Sequence, residues 1–203
     1  MRNQILFSIL LSAALVQIGC LGAGSTVRYY TVNPVDAVPA AAAQRQLAID
    51  ILNVHVPDYL ERPHIATRDG NNSLQFSDTN MWAENLRKNL MRTMVRNLSA
   101  MLGTSAISTP LSRSSARPDY LLEIHIDQFE QDSDTRVKLA ARWQLIRAGD
   151  DKPLGVHSVD LQGETQVPEH DYDRMTGDMR ELYGRLSRKI ADDILAAQQT
   201  QGQ

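Results

Sequence analysis

The stretch Tyr120-Leu121-Leu122-Glu123-Ile124-His125-Ile126-Asp127-Gln128-Phe129 alternates between apolar and polar residues. Tyr120, Leu122, Ile124 and Ile126 share one parity, and Glu123, His125 and Asp127 share the other. Successive side chains leave a strand on opposite sides, so this pattern predicts a half-buried strand. It repeats downstream, where Val137, Leu139, Ala141, Trp143 and Leu145 alternate with Lys138, Ala140, Arg142 and Gln144. Gly149-Asp150-Asp151-Lys152 turns the chain, and residues 154–167 return as a third, more polar strand. Together these segments predict an antiparallel meander.

On either side of the meander the period changes to that of a helix. Trp82, Leu86, Leu90, Met94, Leu98 and Leu102 recur every four residues, and Met91, Val95 and Met101 widen the stripe. Asp78 or Thr79 is expected to cap this helix, and Gly103 to end it. Tyr172, Met175, Met179, Leu182, Leu186, Ile190 and Ile194 mark a second helix that starts at Asp171. Gly184 lies inside it at a cost of roughly 1 kcal/mol relative to Ala, which points to close packing.

Further upstream, residues 27–32 and 47–56 read as strands. In the second, Leu47, Ile49 and Ile51 take one parity and Leu52, Val54 and Val56 the other. That switch predicts a bulge near Leu52-Asn53, or burial on both faces. Residues 65–68 and 73–76 flank Asp69-Gly70-Asn71-Asn72, a hairpin turn suited to positive φ. A short strand is expected at 105–108. The order of strands, helix, strands, helix predicts one α+β domain over 27–203. Its sheet is mixed but mainly antiparallel, with two long amphipathic helices packed on it.

Composition limits the possible functions. The chain has 203 residues, 42% apolar and 22% charged. Those proportions exclude collagen-like repetition and wholesale disorder. Asp plus Glu number 24 against 21 Lys plus Arg, a formal net charge of -3. That balance argues against nucleic acid as the main partner. The single cysteine permits neither an internal disulfide nor a cysteine-based zinc site.

Arg2 is the only charge before Arg28, and an apolar run covers 5–16. The run is shorter than the about 20 residues that span a bilayer core. A basic start with a short apolar core is the pattern of a secretory signal. The run closes in Val16-Gln17-Ile18-Gly19-Cys20, which resembles the lipobox of bacterial lipoproteins, with Gln17 where those usually have Leu. The resemblance implies a signal peptide over 1–19, lipid attachment at Cys20 and a short tether over 20–26. The alternative is an ordinary signal peptide with an incidental cysteine. In such lipoproteins an Asp after the cysteine commonly retains the protein in the inner membrane. Leu21 at that position implies the periplasmic face of the outer membrane.

The sequence carries few groupings of chemically active residues. His55, His64, His125, His157 and His170 are scattered, and no pair has the spacing of a helical metal site. Glu123, His125 and Asp127 could form a ligand set or an acid–base pair, but read as the solvated side of a strand. Asp192-Asp193 reads as a solvated helix face. There is no Gly-rich phosphate loop and no Gly-x-Ser-x-Gly elbow. No catalytic residue, cofactor or metal is expected from the sequence. The helical methionines read as core filler, the alternative being an apolar groove for acyl chains.

The most distinctive segment is Val54-His55-Val56-Pro57-Asp58-Tyr59-Leu60-Glu61-Arg62-Pro63-His64-Ile65-Ala66-Thr67-Arg68. It resembles the signature of the PqiC/YmbA family of ABC-type transport auxiliary lipoproteins: a strand, Pro, then Tyr-Leu-acidic-Arg-Pro, an apolar pair and Arg. Trp82-Ala83-Glu84-Asn85-Leu86 resembles the family's Trp-Ala-Glu-Pro-Leu helix start, with Asn85 replacing the proline. Tyr29-Tyr30, Arg96-Asn97-Leu98 and residues 120–129 also fit. The resemblance implies an outer-membrane lipoprotein that works with a PqiB-like, MCE-domain inner-membrane protein and an integral membrane subunit. Such assemblies carry lipids between membranes and support envelope integrity. This subunit would be the non-catalytic docking component, in a homo-oligomeric ring.

The residues themselves are compatible with docking. Two prolines stiffen the loop, so Tyr59, Leu60, Arg62, Pro63 and Arg68 are candidate partner or oligomer contacts presented at low entropic cost. In the opposite assignment, Tyr59 and Leu60 pack on the sheet and Arg62 pairs with an acid or a carbonyl. Replacing both Tyr59 and Arg62 by Ala is expected to spare folding and weaken assembly. Two other functions fit a chain of this kind: an outer-membrane lipoprotein that regulates or scaffolds a peptidoglycan enzyme, and a periplasmic hydrolase.

Overall fold

The computed structural model describes residues 26–36, 47–70, 72–112 and 117–201. The expected signal peptide, Cys20 and nearly all of the tether lie outside the described residues. Among the described residues, eight strands and two long helices follow one another as β1 (Arg28–Tyr30), β2 (Ile49–His55), β3 (His64–Asp69), β4 (Ser73–Trp82), α1 (Leu86–Leu102), β5 (Ile107–Ser108), β6 (Tyr120–Gln131), β7 (Val137–Arg147), β8 (Lys152–Gln162) and α2 (Tyr172–Gln201). The class is α+β, a single mixed sheet with both helices packed on it.

The alternating stretch becomes the middle of the sheet. β6 pairs antiparallel with β7, and β7 with β8, which is the expected meander. The other edge of β6 is shared by two strands. β2 runs parallel to its first half, with His55 opposite His125, and β3 meets it again at Thr67–Gln131. β4 then pairs antiparallel with β3, β1 parallel with β4, and β5 parallel with β2.

Two bulges set which side chains face the helices. The register of β2 against β6 shifts between Ile51 and Asn53, which leaves Leu52 outward and returns Val54 to the core. This is the bulge expected from the parity switch. A second shift, in β6 between Ile126 and Gln128, carries Phe129 onto the buried face opposite Leu139.

The start of α1 corrects the expected boundary. Asp78 and Thr79 lie within β4, which continues to Trp82 because residues 80–82 pair with β1. Asn85 is the cap, its side chain accepting from the Lys88 N–H at 3.2 Å. Trp82 is buried from the end of a strand, so its spacing of four from Leu86 does not mark a helical turn. Gly103 ends α1 in the left-handed region at φ 64, as a glycine cap should. The third strand of the meander also ends earlier than expected, at Gln162.

Between the helices runs residues 32–35, strapped by a ladder of buried polar side chains one turn apart on α1. Asn89 accepts from the Val32 N–H at 2.8 Å, and Thr93 donates to the Val32 carbonyl at 2.8 Å. Asn97 accepts from the Val35 N–H at 3.1 Å and donates to Ser187 on α2 at 2.9 Å. These bonds satisfy backbone groups that would otherwise be buried without a partner.

Gly184 explains itself at this place. A Cβ there would run into the Val35 side chain, so the glycine lets the strapped segment approach α2. Gly184→Ala is expected to lower stability by about 1–3 kcal/mol despite its better helix propensity. Adding Val35→Ala should recover part of that loss. Urea unfolding of the single and double variants checks both.

Candidate functional site

The Tyr59–Pro63 run fills the interval in which β6 exchanges one edge partner for another. Pro57, at φ -59 and ψ 148, starts a 3-10 turn over Asp58–Glu61, closed by the Leu60 N–H on the Pro57 carbonyl at 2.9 Å. Arg62 is extended, at φ -67 and ψ 150, as the residue before a proline must be. Pro63 then accepts from the Trp82 N–H at 2.7 Å, and β3 begins.

This turn is pinned by a buried carboxylate. Glu130 has no exposed surface. Its Oε2 accepts from the Tyr59 hydroxyl at 2.8 Å and from the Phe129 N–H at 3.0 Å. Its Oε1 accepts from Arg68 Nε at 3.0 Å and Nη2 at 2.9 Å. A buried charge is tolerated only when paired and hydrogen-bonded, and here four donors do so. Burial first, and then the adjacent carboxylate, push the Tyr59 phenol far above its ordinary pKa, so it stays a donor. Burial opposes the charge on Arg68, yet the bond and charge of Glu130 hold its pKa above the usual value.

The five candidate residues thus separate into two groups. Leu60 is buried, Tyr59 is half-buried, and Arg68 is committed to Glu130. Arg62 and Pro63 are exposed. The Arg62 guanidinium lies over the Phe76 ring at 4.7 Å, and the neighbouring Glu61 bonds Arg87 of α1 at 2.7 Å. Beside them, Arg68 and Phe76 line a polar cleft of about 650 Å³ that reaches Thr135, His170 and Tyr172. Cys20 lies outside the described residues.

Glu130 was missed because the expected strand stopped at Phe129. The parity break at Asp127-Gln128 was the available signal that the strand continues across a bulge.

On the sheet face away from the helices, His55, Glu123 and His125 come together. His55 Nε2 is 2.9 Å from Glu123 Oε1, and His125 Nε2 is 3.6 Å from the same oxygen. The two imidazoles stack with centroids 4.3 Å apart. Glu123 and His125 are therefore half-buried and mutually engaged, rather than simply solvated. Asp127 remains exposed, 3.4 Å from Arg142. Asp193 also departs from the expected solvated face: it accepts from Trp143 Nε1 at 2.9 Å and lies 3.2 Å from His157 Nδ1.

Residues 30–191 match the family described as ABC-type transport auxiliary lipoprotein component, a span that holds the pinned turn, α1 and α2 up to residue 191. The chain belongs to this family. It is 25% identical to the intermembrane transport lipoprotein PqiC of Escherichia coli, over 90% of this chain and 94% of that one. A solved structure from Xanthomonas campestris superposes with a TM-score of 0.64 at 18% identity, covering 87% of this chain and 97% of its own. A second solved structure, of an uncharacterized protein, gives a TM-score of 0.64 at 20% identity over 83% of this chain. Those two likenesses show the shared fold. Family membership makes the chain a lipoprotein component of a transport system, associated with a membrane. Among the described residues no helix is long and apolar enough to cross one.

Removing one partner of the pinned carboxylate leaves a buried charge short of donors. Arg68→Met is expected to cost about 3 kcal/mol. Combining it with Glu130→Gln should cost less than the single change, since the orphaned charge is then gone. Chemical denaturation of the three variants is the measurement. A double variant worse than Arg68→Met would contradict the pinning role.

Proposed function

We propose that this chain is a non-catalytic docking subunit of an MCE-type intermembrane lipid transport system that supports envelope integrity. It is held on the periplasmic face of the outer membrane through lipid on Cys20 and works as a homo-oligomeric ring. The observation that carries the reading is the family match over 30–191, together with similarity along nearly the whole chain to an intermembrane transport lipoprotein.

The geometry supports a specific contact. Tyr59, Leu60 and Arg68 shape the turn from inside, and Arg62 and Pro63 are the part offered to an inner-membrane MCE-domain protein. Arginine is a common interface anchor, and a turn held rigid before binding loses little entropy on docking. The Glu61–Arg87 pair fixes the flank of the turn against α1.

The test is purification of the full-length chain from native membranes in mild detergent, with its partners identified by mass spectrometry. The expected outcome is an MCE-domain protein together with an intact mass that includes acyl chains on Cys20. Arg62→Glu should deplete that partner while the melting temperature of the purified variant stays near wild type. Recovery of a cell-wall synthase in place of an MCE-domain protein, or an unmodified Cys20, would overturn the reading.

A further inference from the structure

The His55–Glu123–His125 cluster has no part in the docking role or in the pinned turn. It consists of two imidazoles and one carboxylate, brought together by the parallel register of β2 and β6. One donor atom from each lies within 4.8 Å of the other two. We infer that this cluster is a binding site for a divalent transition-metal ion, with Zn²⁺ as its natural probe.

The donor set is the first reason. Two neutral imidazole nitrogens and one carboxylate oxygen suit zinc and its neighbours, whereas Ca²⁺ and Mg²⁺ prefer oxygen shells. Zinc ligands at roughly 2.0–2.2 Å in a tetrahedron are themselves about 3.4 Å apart. The separation of 3.6 Å between His125 Nε2 and Glu123 Oε1 already fits that span. The separation of 2.9 Å between His55 Nε2 and the same oxygen needs a small opening.

The second reason is convergence. The two rings stack with centroids 4.3 Å apart, which places both side chains on the same side of the Glu123 carboxylate. Both Nε2 atoms are directed at the same Glu123 oxygen, and an ion bound among the three would replace the N–H···O contact that His55 makes there. Arg142 stands opposite His125 on β7 and opposes a cation, but Asp127 faces it at 3.4 Å. The Asn53 amide nitrogen lies 3.2 Å from His55 Nε2 and would have to release that atom for an ion to bind.

The third reason is placement. All three donors project from two adjacent, hydrogen-bonded strands, with the His pair directly opposite in register. Sites on strands hold their geometry more closely than sites on loops. An ion here would clamp β2 to β6 just before the chain turns into the Tyr59–Pro63 run.

The experiment is a calorimetric titration of ZnCl₂ into the full-length protein in detergent after chelator treatment. One ion per chain is expected, with a melting temperature that rises on loading and falls again with EDTA. MgCl₂ and CaCl₂ should give no comparable signal. His55→Gln and His125→Gln should each weaken binding by at least about 10-fold, and His157→Gln should leave it unchanged. If a variant misfolds, histidine side-chain NMR of the wild-type protein decides: zinc should shift ring nitrogens of His55 and His125 and no others. No saturable binding, binding unaffected by either substitution, or shifts confined to other histidines would overturn the site.

Discussion

The carboxylate of Glu130 sits wholly inside the protein, and the candidate docking turn is built around that fact. A lone buried charge costs several kcal/mol, so its neighbours are constrained to supply donors. They come from three places in the chain: Tyr59 in the turn, Arg68 on β3, and the backbone beside Glu130 itself. The constraint also orders the topology, because β2 leaves the edge of β6 and β3 returns to it beyond the turn. Tyr59 closes the gap with an ordered side chain. What remains outward, Arg62 and Pro63, is exposed on a segment whose inner half cannot move without disturbing the buried charge.

The helical side of the sheet obeys a second constraint. The residues 32–35 enter between α1 and α2, where their backbone groups have no strand to pair with. Asn89, Thr93 and Asn97 take the place of a neighbouring strand. Gly184 removes the side chain that would keep this segment away from α2. The Tyr59–Pro63 turn and the strapped segment meet through β4, since the Trp82 N–H bonds back to the Pro63 carbonyl and the following Ala83 N–H bonds the Tyr30 carbonyl. The helical layer and the exposed turn are thereby parts of one packed unit.

Much of this architecture was legible from periodicity. The meander, both helices, the hairpin about Gly70 and the bulge at Leu52 each leave a local pattern in the apolar residues. The pairings between distant segments leave none. Nothing local shows that His55 lies opposite His125, because that depends on a parallel register between strands far apart in sequence. The first turn of α1 was misplaced for a different reason: a core-facing residue at the end of a strand, Trp82, happens to continue a helical spacing. Glu130 was hidden by a bulge that moved the pattern by one residue. The Tyr59–Pro63 run stood out through family resemblance, its stiffness left open both a contact role and a packing role, and the structure adds which of its residues face inward and which do not.

The account rests on the outward half of that run meeting a partner. The most direct measurement is site-specific photo-crosslinking in intact membranes, with the crosslinker placed at position 62 and, for comparison, at position 156 on the open sheet face, where Val156 is exposed. The account predicts an adduct with an MCE-domain protein from position 62 and none from 156. An adduct with that protein from 156 alone, or adducts from 62 only to other copies of this chain, would contradict it.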